Sequence, residues 1–375
     1  MTHRTKHLSN PLRTPHFLVI LGLWAKLTSG ALPTDLTLGL SLFGSASDEG
    51  PAMSRIAGSE LQASFSHAVR EMAKLKVEAQ LRLETGSARQ VFDDEFKPRT
   101  GLRLKESSVT ITPTGYLEFT LGAVDQDRWN NPQLLSSQSF PSLVEKFEIG
   151  SPWFLRLEGL QAYASDTSTL QPWNDFGSAS AAFFLERLTI GRRDSQKMES
   201  RLYLSHFLFD GLSPALAYQS RFFGNSTSGL GAADSRFQSG FRGFEAGAFT
   251  QFEITRDLRP FLSLSAILNT AAPENQRRAW RVTAGTEWAP TETLILGSQL
   301  EAFQMESDAG PAVFNSRQRG HNNRSGYGLR ISATLPRQGL TVFGEWFQSR
   351  PLVAQNFQHD LNWIQINLRT DYDLL

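Results

Sequence analysis

The sequence predicts an all-β protein, an antiparallel transmembrane β-barrel of about 16 strands. Three observations predict it: apolar residues recur with period two almost from end to end, the connections alternate short and long, and an export-type segment opens the chain. The clearest period-two stretch is 74–84. Leu75, Val77, Ala79, Leu81 and Leu83 fall on one face, and Lys74, Lys76, Glu78, Gln80, Arg82 and Glu84 on the other. Successive side chains of a strand point to opposite faces, so one face is wholly apolar and the other polar or charged. Trp280, Val282, Ala284 and Trp288 repeat the pattern against Arg281, Thr283 and Glu287. Tyr327, Leu329, Ile331, Ala333 and Leu335 do so against Arg330, Ser332 and Thr334, as do Ile364, Ile366, Leu368, Tyr372 and Leu374 against Gln365, Asn367, Arg369 and Asp371.

Candidate strands run from 35–43 to 361–374 and include 59–70, 74–85, 102–111, 116–124, 154–164, 182–190, 199–209 and 213–223. Most approach the length that a tilted strand needs to cross a bilayer. Short links are expected at 71–73, 112–115, 210–212, 255–257, 290–292 and 336–339, and longer ones at 46–57, 86–101, 125–152, 224–239, 269–278, 305–325 and 350–360. That order matches tight periplasmic turns and longer extracellular loops. One link, 166–181, is too long for its place. Either the barrel has about 16 strands with one long periplasmic connection, or 154–190 is a loop and the count is about 14.

Composition narrows the classes further. Hydrophobic residues make up 40% of the 375, and no run of about 20 apolar residues could form a membrane-crossing helix. The 27 Phe and 29 Gly, spread over many short segments, suit strands whose outer surface meets an apolar solvent. With no Cys there is no disulfide framework, thiolate metal site or cysteine nucleophile. The 37 basic and 37 acidic residues balance, so nothing points to nucleic acid as a partner.

Residues 1–16 carry Arg4, Lys6 and Arg13 and no acid; the uncharged run 17–25 follows, and Ser29-Gly30-Ala31 offers small residues for cleavage. The run is too short to span a bilayer but fits a signal segment. The expected division is therefore a signal peptide over 1–31 and a barrel over 32–375, with localisation in the outer membrane of a Gram-negative bacterium. Cleavage would remove Arg4, Lys6, Arg13 and Lys26 and no acid, leaving a slightly negative chain.

Taken together, the opening segment, the amphipathic strands, the link lengths and the terminal strand 361–375 resemble the bacterial outer-membrane porin-like barrels. The resemblance is one of architecture and covers most of the mature chain. It implies a passive channel for small hydrophilic solutes or ions, in contact with membrane lipid and lipopolysaccharide. Many porins are trimers, but no residue here identifies a subunit interface. The chain ends Leu374-Leu375 where the family expects a final aromatic residue; Tyr372 lies nearby on the apolar face. The segment 116–124, followed by Asp125-Gln126-Asp127-Arg128, resembles the strand and loop that such porins place before a constriction.

Charge is costly on a lipid face at mid-depth, so the charged faces should line the pore. The candidates are Lys74, Lys76, Glu78, Arg82, Glu84, Glu118, Arg156, Glu158, Arg281, Glu287, Glu301 and Arg330, with Glu345, Arg369 and Asp371 beside them. Asp125, Asp127, Glu145 and Glu148, on a loop 125–152, are expected to form a constriction against a basic wall around Lys74, Lys76, Arg82 and Arg103. Trp129, Trp153, Tyr218, Trp280, Trp288, Tyr327, Trp346, Trp363 and Tyr372 are candidates for interfacial girdles. A structural or adhesive barrel with a plugged lumen is the alternative, with the Gly-, Ser- and Asn-rich loops 224–239 and 305–325 as contact regions. An enzyme is not expected. The adjacent pairs Ser66–His67 and Ser205–His206 would point to opposite faces, and no His or carboxylate cluster has metal-ligand spacing, so neither cofactor nor metal is expected.

Overall fold

The computed structural model describes residues 35–50, 52–70, 73–89, 100–125, 139–165, 179–194, 199–211, 241–255, 257–306, 309, 323–353 and 359–373. The expected signal segment 1–31, Asp127, Trp129 and Tyr218 lie outside them, and so do the side chains of Arg103 and Asp125. The described strands are β1 (Asp35–Glu49), β2 (Ala52–Arg70), β3 (Ala73–Arg89), β4 (Thr100–Thr114), β5 (Leu117–Asp125), β6 (Ser139–Ile149), β7 (Trp153–Ser165) and β8 (Ala179–Arg193). They continue with β9 (Glu199–Gly211), β10 (Phe241–Gln251), β11 (Leu258–Asn269), β12 (Arg278–Thr291), β13 (Leu294–Met305), β14 (Arg324–Leu335), β15 (Leu340–Pro351) and β16 (Leu361–Asp373). Each pairs antiparallel with its neighbours in sequence, and β1 pairs with β16, from Thr37 opposite Asp373 to Glu49 opposite Leu361, closing a barrel of 16 strands.

Closure removes every sheet edge, so the backbone is satisfied without water, as a bilayer demands. The polarity is inverted relative to a soluble protein. Inner positions of β3 hold buried Glu78 and Gln80, while Leu81 and Leu83 on its outer face are 37% and 48% exposed. The same alternation puts Leu300, Ile331, Ile366 and Leu202 outside and Glu301, Glu345 and Ser205 inside. Exposed Tyr116, Trp153, Trp288 and Tyr372 stand on the outer surface near the rim that carries the termini, and Trp280, Tyr327 and Trp346 lie toward the other. Two such aromatic belts bound an apolar band in membrane barrels. Trp363 departs from the girdle expectation. It lies inside, 4% exposed, packed with Phe303, Phe347 and Leu361.

The connections divide by rim. On the terminal rim they are 71–72, 115–116, 150–152, 194–198, 252–257, 292–293 and 336–339. At the last of these, Gly339 takes φ 60 and donates its N–H to the carbonyl of Pro336 at 3.2 Å, a backbone angle that L side chains rarely adopt. The far rim carries 90–99, 126–138, 166–178, 212–240, 270–277, 306–323 and 352–360, with one short link at 50–51.

Three sequence expectations change here. The stretch expected as one loop, 125–152, contains β6, whose two faces are both mixed: Leu143, Glu145, Phe147 and Ile149 outside, Val144, Lys146 and Glu148 inside. The strand expected at 213–223 lies outside the described residues, and the link expected at 210–212 begins inside β9, which runs to Gly211 and pairs directly with β10. With β6 counted, the link 166–178 also falls on the far rim, which removes the anomaly. Both β7 and β8 stand in the wall, so the count of 14 is excluded.

Candidate functional site

The inner wall carries arginines, lysines and carboxylates at alternate positions of most strands, which the register sets side by side. Lys76 reaches Glu106 at 2.6 Å and Glu78 at 3.4 Å; Gln62 donates to Glu78, and Ser108 to Glu106. Arg82 pairs with Glu84. Near the terminal rim Arg156 meets Glu148 at 2.5 Å and Glu158 at 3.9 Å, Arg193 meets Glu148 and Glu199, and Arg201 meets Glu199. On the opposite wall Arg281 binds Glu301 at 2.5 Å, and Arg369 binds Asp371 at 2.9 Å. Glu345 is buried and Glu118 half-buried on the same inner face, whereas Lys74 and Glu287 are exposed, near the terminal-rim ends of β3 and β12.

Of the expected constriction set, only the side chains of Glu145 and Glu148 are among the described residues, and they are on opposite faces of β6. Glu145 lies on the outer face of β6, Glu148 lies on the inner face near the terminal rim, and neither belongs to a loop. The reason is the scrambled alternation of β6, which hides it as a strand.

The deepest inner cluster was not singled out from the sequence. Arg187, 8% exposed by side chain, sits 3.5 Å from fully buried Glu245 and donates to Ser205 at 3.0 Å, and the Tyr203 hydroxyl donates to Glu245 at 3.1 Å. Glu186 and Arg187 put charge on both faces of β8, so period two alone assigns neither. Ser205 is fully buried inside, while His206 beside it faces out, so the two cannot share a proton directly.

Many aromatic residues belong to this wall rather than to the lipid face. Phe43 lies against Gly58, Phe154 against Gly191 and Phe303 against Gly326. A Cβ at those glycines would stand 2.8, 2.5 and 2.8 Å from the respective rings. Laid flat over bare backbone, a ring takes little of the lumen. Guanidinium groups then cover several rings: Arg82 over Phe43 at 4.9 Å, Arg193 over Phe154 at 4.8 Å, Arg187 over Tyr203 at 4.7 Å and Arg330 over Phe343 at 4.2 Å. The wall therefore presents charge to the interior although aromatic rings underlie it.

No family model and no curated protein matches the sequence. Solved structures do. OprB of Pseudomonas putida, in its high-pH structure, aligns with a TM-score of 0.60 at 11% identity, covering 94% of this chain and 97% of that one. The outer membrane channel DcaP of Acinetobacter baumannii aligns with a TM-score of 0.51 at 10% identity, over 90% and 97% of the two chains. At such identities the likeness is one of fold. By fold, then, the chain is a closed antiparallel barrel of 16 strands, similar in architecture to these two proteins.

Proposed function

We propose that the protein is a passive channel of the bacterial outer membrane for small hydrophilic solutes or ions. The observation that carries this is a closed barrel of 16 strands whose inner wall is charged and whose outer wall is apolar. A circumference of that size leaves an aqueous passage. Lys74, Lys76, Glu78, Arg82, Glu84, Glu118, Arg156, Glu158, Arg281, Glu287, Glu301 and Arg330 are the pore-lining residues of this reading. The rim with the termini faces the periplasm, segment 1–31 directs export, and the outer face meets lipid and lipopolysaccharide.

Most inner charges have an opposite charge within reach, so the wall field alternates in sign over a few ångströms and the lumen has little net preference. The mature chain, refolded into a planar bilayer, is expected to conduct ohmically, with a reversal potential close to zero in a potassium chloride gradient. An electrically silent bilayer with fully folded protein would instead favour a plugged structural or adhesive barrel. Fractionation of cells expressing the chain with and without 1–31 tests the export step separately; only the full chain should reach the outer membrane.

A further inference from the structure

We propose that the outer face across β16, β1, β2 and β3 holds one lipopolysaccharide molecule, with a phosphate on Arg55 and an acyl chain in the groove below it. The inference deepens the channel reading and rests on its orientation, in which the rim with the termini faces the periplasm. It starts from a contrast between the two walls. Inside, Lys76, Arg156, Arg281 and Arg369 each reach a carboxylate. Outside, the side chains of Arg55, Arg242, Arg278 and Arg350 are exposed, and none has a carboxylate partner among the described residues. Buried Ser54 and Ile56 flank Arg55, and buried Ala279 and Ser349 adjoin Arg278 and Arg350, so alternation turns these arginines outward. Exposed Phe244 shares the face of Arg242. All four stand at the far-rim ends of their strands: fourth in β2, second in β10, first in β12 and second from last in β15. Arg192, outward at the terminal-rim end of β8, instead covers the Trp153 ring at 5.7 Å.

Arg55 lies at the far edge of the apolar band. Ala63 of β2 is opposite Leu38, which is opposite the belt residue Tyr372. The tilted strand from Ala63 to Arg55 rises roughly 20 Å, most of the height of an apolar band about 25 Å tall. A guanidinium at that level leaves the hydrocarbon and meets headgroups. Its planar fork matches a phosphate through two parallel N–H donors.

The register sets an apolar groove directly below this cation. In one outward row Arg55 is opposite Ala46, and Ala46 opposite Ile364. In the next, Thr85 is opposite Ala57, Ala57 opposite Gly44, and Gly44 opposite Ile366. The two isoleucines, 49% and 60% exposed, form one bank, and the small residues floor a groove of ≈ 490 Å³. A Cβ at Gly44 would meet nothing nearer than the Ile56 carbonyl oxygen at 4.0 Å, so the fold itself leaves that space open to the membrane. An unpaired cation over an apolar trough is complementary to an acyl chain that carries an anionic head. Four such cations around one rim suit a leaflet dense in phosphate, and in the channel orientation that leaflet is made of lipopolysaccharide.

The full chain, purified in detergent, is titrated with rough-type lipopolysaccharide, with the same lipid after enzymatic dephosphorylation, and with phosphatidylglycerol. Native mass spectrometry reads the affinity for the first lipid bound. Dephosphorylation and Arg55→Gln are each expected to weaken that binding about tenfold, through loss of a charge-assisted contact. Gly44→Leu, which fills the groove floor, should weaken it as well, and Arg192→Gln should leave it unchanged. Phosphatidylglycerol that binds as tightly as lipopolysaccharide overturns the proposal. So does equal affinity for the dephosphorylated lipid, a comparison that needs no variant, or unchanged binding by a folded Arg55→Gln chain. Orientation is read apart. The chain has no cysteine, and Ala271→Cys, exposed on the far-rim link 270–277, should react with a membrane-impermeant maleimide on intact cells. An unlabelled cell surface overturns the orientation and the proposal with it, whereas a silent planar bilayer overturns the channel reading and leaves the lipid site standing.

Discussion

An arginine in place of Leu81 is expected to destabilise the barrel by roughly 2–4 kcal/mol, the cost of a cation on the lipid face near the bilayer midplane. Leu81 stands on the outer face of β3 with Leu61 and Leu102 as its cross-strand partners. Register does not allow the new charge to escape, because a one-residue slip would turn Glu78, Gln80 and Arg82 outward together. By contrast, Arg369→Ala on the inner face of β16 removes a half-exposed ion pair to Asp371 at 2.9 Å. Its cost should stay within about 1 kcal/mol, since exposed pairs contribute little. Urea titration of both variants in lipid vesicles checks the contrast, and equal losses would mean that the inner and outer faces of the wall are not in different solvents.

Glu245→Ala should be the more damaging change on the inside. The carboxylate is fully buried, and its loss removes one acidic partner of the Arg187 guanidinium in a site 8% exposed. Breaking a buried pair from one side costs about 3–5 kcal/mol, most of it the desolvation of the remaining charge. The double variant Arg187→Leu, Glu245→Ala should therefore be more stable than Glu245→Ala alone. The same urea titrations measure this, and a double variant no better than the single one would show that other contacts, not the pair, hold β8 and β10 together.

Period two made the wall legible wherever one face is purely apolar, as in β3, β14 and β16. It failed where function or contact puts charge on both faces. In β6 the outward Glu145 and inward Val144 cancel the pattern, so periodicity alone reads the strand as part of a loop. In β8 the sequence Glu186-Arg187 gives no face, and only the register separates a lumen arginine from an outer glutamate. The aromatic count misled in a related way. A Phe on the inner face is invisible to composition, and its glycine partner is adjacent only across strands, as with Phe154 and Gly191. Which residues line the wall could thus be read locally, whereas the Arg187–Glu245 cluster joins positions 58 apart in sequence and needs the closed fold.

The seam between β1 and β16 has a consequence for how the protein reaches this state. Thirteen residue pairs join the first described strand to the last, from Thr37–Asp373 to Glu49–Leu361. No partial product of synthesis can contain them. Until the C-terminal strand arrives, both β1 and the last strand made are open edges, free to pair with any other chain. The seam also has the longest loop to close in the molecule, so its entropy is spent before its hydrogen bonds return anything. Closure therefore belongs at the end of folding, and a chain shortened by its final strand is left not as a slightly weaker barrel but as a curled sheet with two adhesive margins.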